Sequence, residues 1–70
     1  MRLSTQNQFK GTIVEVNIGT VMAIVKVQLD GGDQVVTSSV TKDAVLNLGL
    51  KEGQPATVFI KATAVTIGVE

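Results

Sequence analysis

Residues 4–11, STQNQFKG, gather three carboxamides, two hydroxyls and one ammonium in eight positions. They hold no histidine, cysteine or carboxylate, so they form neither a transition-metal site nor an acid–base pair. Residues 37–41, TSSVT, place the hydroxyls of Thr37, Ser38, Ser39 and Thr41 just ahead of a segment with helical signals. Hydroxyls, free backbone N–H groups and the positive end of a helix are the parts of an oxyanion site. Residues 59–63, FIKAT, add Lys61 and another hydroxyl. The last two stretches allow an anion held by neutral donors and few charges, and the residue types alone assign no role to the first. A plainer account fits the same residues: threonine favours strands, and Thr41 simply caps a helix.

Other chemistry is poorly supplied. The chain has no histidine and no cysteine, so no serine or threonine has a conventional activating base. Lys61 reads as a solvated strand lysine rather than a base, and the chain is not expected to be an enzyme. Asp30 and Asp33 flank Gly31 and Gly32 and read as turn formers rather than calcium ligands; no free metal cation is expected. The net charge is zero and the aromatics are Phe9 and Phe59 alone, so neither bulk charge nor a stacking platform recommends a nucleic-acid partner. No apolar run nears the ~18 residues of a membrane span, and a soluble, cytoplasmic protein without a membrane partner is expected.

The elements that must position these residues follow from the glycines and the periodicity. Residues 9–18, rich in β-branched side chains, read as a strand. Gly19 serves a turn, and residues 21–29 alternate, with Val21, Ala23, Val25, Val27 and Leu29 on one face. DGGD at 30–33 is a hairpin signal, and residues 34–40 form a third strand. The period then changes: Thr41 is a plausible N-cap, Asp43 suits the first turn, Val45 and Leu48 share a face, and Gly49 stands where a left-handed C-terminal residue belongs. Residues 56–61 and 65–69 read as two more strands. The expected fold is all-β, a five-stranded antiparallel OB-like barrel with one short helix between strands three and four.

The chain has 70 residues, read as one domain over 1–70. Such a chain buries only ~60% of its unfolded surface, so its core is marginal alone. Hydrophobic residues make up 44% of it. Met22 and Ile24 lie opposite the core face of the second strand, and Ile13 accompanies Val14, Val16 and Ile18 on the first. Apolar residues on both faces of strands imply a surface that meets another subunit.

STQNQFKG resembles SARNQLKG, the opening of the molbindins, the small molybdate-binding Mop proteins with a TOBE or OB-like domain. LNLGLKEGQPATVFIKATAV resembles their LGLKEG…VIKAS.V ending, and DGGD matches their central hairpin. The resemblance covers nearly the whole chain. It implies a cytoplasmic homo-oligomer, a hexamer built as a trimer of dimers, that binds molybdate or tungstate at subunit interfaces and stores or buffers it. It maps the oxyanion site onto Ser4, Gln6, Thr37, Ser38, Ser39, Thr41, Lys61 and Ala62. It places backbone donors of a possible second site at Gly19, Thr20 and Val21. No catalytic cofactor is implied.

The chain departs from the family pattern at three positions. Gln6 stands for an arginine, Ala62 for a small polar residue, and Met22 for a frequently polar one. A charge-assisted hydrogen bond contributes about 1.5–3 kcal/mol against about 0.5–1.5 for a neutral one, so losing the guanidinium weakens binding by around tenfold. Three readings therefore stand at this point: molybdate binding and storage, a structural oligomerisation module whose anion sites have decayed, and an OB-type nucleic-acid binder.

Overall fold

The computed structural model describes residues 4–70. In chain order the elements are β1 (Asn7–Ile18), β2 (Met22–Leu29), β3 (Val35–Thr41), α1 (Lys42–Leu48), β4 (Pro55–Ile60) and a 3-10 turn over Ala62–Ala64. The four strands form one antiparallel sheet in the order β3-β2-β1-β4. The long β1 is shared: its first half pairs with β4 and its second half with β2.

The hairpin between β2 and β3 forms where the DGGD signal lies, with Gly31 at φ 85°, a value that glycine reaches without strain. The inward stripe of β2 matches the alternation at Ala23, Val25 and Val27, which are buried, whereas Val21, expected on the same face, precedes the strand in the turn and is exposed. On β1 the register shifts between Ile13 and Glu15. This bulge at Val14 resets the phase, so Ile13, Val16 and Ile18 pair with Val27, Val25 and Ala23 and share the core face. The first strand is thus less two-faced than its sequence suggests. Gly11 permits the close approach of β1 to β2, since a Cβ there would collide with the Gln28 carbonyl oxygen and lie 2.8 Å from Val27 Cγ1.

Helix α1 is capped at both ends as its sequence predicts. Thr41 Oγ1 accepts from the Ala44 N–H at 3.1 Å. Gly49 is left-handed at φ 65°, and the Gly49 and Leu50 N–H groups donate to the Leu46 and Val45 carbonyls, the pairing of a Schellman motif. Val45 enters the core, whereas Leu48 stays 68% exposed. The core is small: Ile13, Ala23, Val25, Val27 and Val45, with Val16, Leu29, Val40, Leu50, Ala56 and Val58 packed around it.

The expected fifth strand over 65–69 is not formed; the described residues contain four strands. A strand needs a partner's backbone groups, and residues 65–70 join no ladder. After Ile60 the 3-10 turn ends the pairing with β1, and the chain continues with Val65 extended at φ −89°, ψ 126°. Ile67 and Val69 are left 81% and 92% exposed. The sheet curls without closing. Between its β3 and β4 sides an apolar groove of about 240 Å³ opens, lined by Val40, Leu48, Leu50 and Val58 among others.

Candidate oxyanion site

The β1–β4 ladder begins with Asn7 opposite Ile60 and runs through Gln8–Phe59 and Phe9–Val58. Beyond Asn7 and Ile60 the two segments separate into the lips of an open cleft of about 350 Å³. Ser4, Thr5, Gln6 and Asn7 line one lip, and Lys61, Ala62 and Thr63 line the other. Residues at opposite ends of the sequence, singled out for their donors, are therefore brought together by one strand pairing.

Among the described residues the cleft's lining contains one cation, Lys61, and no carboxylate. Lys61 is exposed and makes no ion pair among the described residues, where the salt bridge present is Lys26 Nζ to Glu15 Oε2 at 3.9 Å. Its backbone, at φ −63° and ψ 139°, precedes the 3-10 turn, which is closed by Ala64 N–H to the Lys61 carbonyl at 2.9 Å. Ala62 offers only its main chain. Gln6 is exposed and keeps both ends of its amide free of intramolecular partners among the described residues. The other two amides of STQNQFKG are committed to the backbone. Asn7 Nδ2 donates to the Ile60 carbonyl at 3.1 Å, and Gln8 Nε2 donates to the Thr5 carbonyl at 2.7 Å. Reading composition alone missed this division of labour, because both acceptors are backbone carbonyls whose position depends on register or local bend.

The hydroxyl run does not join this cleft within one chain. It lies on β3, with β2 between it and β1, so at ~4.8 Å per strand it stands roughly 10 Å from β1 along the sheet. The run is also split by the strand's two-residue period. Ser38 pairs with buried Val25 and lines the apolar groove with Thr57 and Phe59. Thr37 and Ser39, opposite Lys26 and Ile24, take the other face. Thr41 Oγ1 is engaged as the helix cap, which leaves its proton available to donate. The turn of Gly19, Thr20 and Val21 is exposed. The Gly19 N–H donates to the Met22 carbonyl at 2.8 Å, and the Val21 carbonyl accepts from the Lys42 N–H at 2.7 Å. Among the described residues the N–H groups of Thr20 and Val21 have no backbone acceptor.

The family model for the TOBE domain matches residues 3–67. The chain belongs to the TOBE domain family. A probable molybdenum-pterin-binding protein from Haemophilus influenzae is 44% identical to this TOBE domain over 70 residues, covering 100% of both chains. The structure of MopII from Clostridium pasteurianum superposes with a TM-score of 0.90 at 37% identity, covering 97% of this chain and 100% of that one. A molybdate-bound structure of the cytoplasmic molybdate-binding protein ModG superposes with a TM-score of 0.81 at 47% identity, covering 89% of this chain and 43% of ModG. The H. influenzae protein and ModG are named for what they bind rather than for a reaction. The resemblance read from the N- and C-terminal motifs is thus the correct one. The fold it implied stands as an all-β, OB-like curled sheet with one short helix. No helix among the described residues is long and apolar enough to cross a membrane.

Proposed function

We propose that this TOBE domain, a single unit over residues 1–70, reversibly binds molybdate, or tungstate, and stores it in the cytoplasm at sites between the subunits of a homo-oligomer, a hexamer built as a trimer of dimers. The observation that carries this reading is the β1–β4 pairing, which sets Ser4 and Gln6 across an open cleft from Lys61 with no carboxylate in the lining. A tetrahedral dianion is suited by many neutral donors and one cation, and it leaves chemically unchanged, so the site needs no acid–base group.

The cleft is open to solvent on one chain, which leaves room for a shared site. One chain provides part of the wall, and the hydroxyls of Thr37, Ser39 and Thr41, remote within their own chain, are free to complete the site of another copy. The exposed apolar residues Val65, Ile67 and Val69 give such copies surface to bury. In this reading Ser4, Gln6, Lys61 and the Ala62 N–H hold one side of the anion. The Thr20 and Val21 N–H groups serve a second site.

Gln6 and Ala62 favour a second reading, an assembly module that has lost its anion. Calorimetric titration with molybdate, tungstate and sulfate, together with native mass spectra with and without molybdate, separates the two. Saturable molybdate heat and a mass increment on an oligomer are expected. An intact oligomer with no heat from any of the three anions refutes the storage reading in favour of the second. A monomer of 7.3 kDa under dilute native conditions refutes both.

A further inference from the structure

Among the described residues, one side-chain hydrogen bond joins elements distant in sequence: Asn7 Nδ2 to the Ile60 carbonyl, 3.1 Å across 53 positions. The other side-chain bonds span three or four residues. This long-range bond lies at the rim of the cleft, where the β1–β4 ladder ends and the lips part. Asn7 is half-buried, which shields the bond from competing water.

We propose that Asn7 is a positioning residue for Lys61, an inference that rests on the anion-binding reading of the cleft. The Ile60 carbonyl belongs to the same planar unit as the Lys61 N–H, and no peptide bond among the described residues is cis. Holding the oxygen therefore fixes the peptide plane and the direction in which the Lys61 N–H and Cα leave β4. No side chain caps the 3-10 turn that follows, so the Asn7 amide is the side-chain restraint on the point where the second lip begins. Gln8 restrains the first lip through the Thr5 carbonyl, which leaves Gln6 as the amide free to face the anion. Without the clamp the main-chain rung between Asn7 and Ile60 remains, Lys61 keeps its charge but is less firmly aimed, and part of its contribution goes to ordering the lip at the moment of binding.

The test is a double-mutant cycle on the assembled protein, with molybdate as the probe and oligomeric state and circular dichroism checked for each variant. Asn7→Ala is expected to weaken binding about five- to tenfold, the scale of one neutral hydrogen bond. Lys61→Ala is expected to weaken it by tenfold or more. Because Asn7 acts through Lys61, the double variant should bind no worse than Lys61→Ala alone. A double variant weakened by the product of the two single losses shows that Asn7 meets the anion itself and overturns the proposal; so does unchanged binding in Asn7→Ala. Amide hydrogen exchange in the unliganded protein supplies a readout independent of binding. Asn7→Ala should speed exchange at Ala64 and Val65, whose N–H groups close the 3-10 turn, while the β1–β2 ladder stays protected. Unaltered exchange at Ala64 and Val65 overturns the clamp even where the unsubstituted protein binds neither molybdate nor tungstate, a result that by itself refutes only the storage reading.

Discussion

Gln6→Arg tests the chemistry of the cleft most directly. Gln6 lines the lip opposite Lys61, is exposed, and has no intramolecular partner among the described residues to lose. Among the described residues the substitution raises the cations in the lining from one to two without breaking a described contact. A neutral donor contributes about 0.5–1.5 kcal/mol and a charge-assisted one about 1.5–3, a difference near 1.4 kcal/mol, or tenfold in affinity. Arginine's planar fork also meets two oxygens of one anion, where the amide meets one. The exposure of residue 6 discounts the gain, because solvent and salt screen the new charge. Titration with molybdate at ionic strengths of about 0.01 M and about 1 M, where the screening length falls from about 30 Å to about 3 Å, should therefore show close to tenfold tightening at low salt and a markedly smaller gain at high salt. Oligomeric state must be equal in both variants. Affinity that is unchanged or lower in Gln6→Arg at low salt, with assembly intact, means that residue 6 does not face the anion, and it refutes the matching of STQNQFKG to the site.

Other perturbations probe the remaining parts. Lys61→Ala removes the cation that the described residues place in the lining and should weaken molybdate binding at least about tenfold, read by calorimetry, while native mass spectrometry shows the same assembly. Gly11→Ala should destabilise the fold by at least about 2 kcal/mol in denaturant titration, because the new methyl meets the Gln28 carbonyl and Val27, and backbone yields poorly. Ile67→Asp, at a site 81% exposed in the single chain, should cost that chain within about 0.5 kcal/mol yet shift the oligomer toward smaller species by light scattering; an undisturbed oligomer would remove the segment from the interface.

What was legible in the sequence was local. The hairpin at 30–33, the caps Thr41 and Gly49, and the inward stripe of β2 each depend on neighbours within a few residues, and each stands where periodicity and turn chemistry put it. The pairing of Ser4 and Gln6 with Lys61 came from motif resemblance, since nothing local in either stretch announces the other. Most of the misses depend on a strand partner. The bulge at Val14 is a property of the β1–β2 register, and it moved Val16 and Ile18 onto the core face that strict alternation from Ile13 denies them. Residues 65–69 have strand composition but meet no edge among the described residues of their own chain. The TSSVT hydroxyls looked like one cluster, although β pairing sends Ser38 to one face and Thr37 and Ser39 to the other. The amides of Asn7 and Gln8 stood in the donor-rich stretch with no assigned partner, and their carbonyl partners made them braces.

The clasp between Asn7 and Ile60 closes a loop of 53 positions, and such contacts are among the slowest for a chain to find. An anion gripped from both lips, as proposed, would tie the same two ends of the chain. Ties that form after the rate-limiting step of folding do little for the speed of folding and act instead on the rate of coming apart. Occupied copies should therefore outlive empty ones against proteases that attack the opened chain.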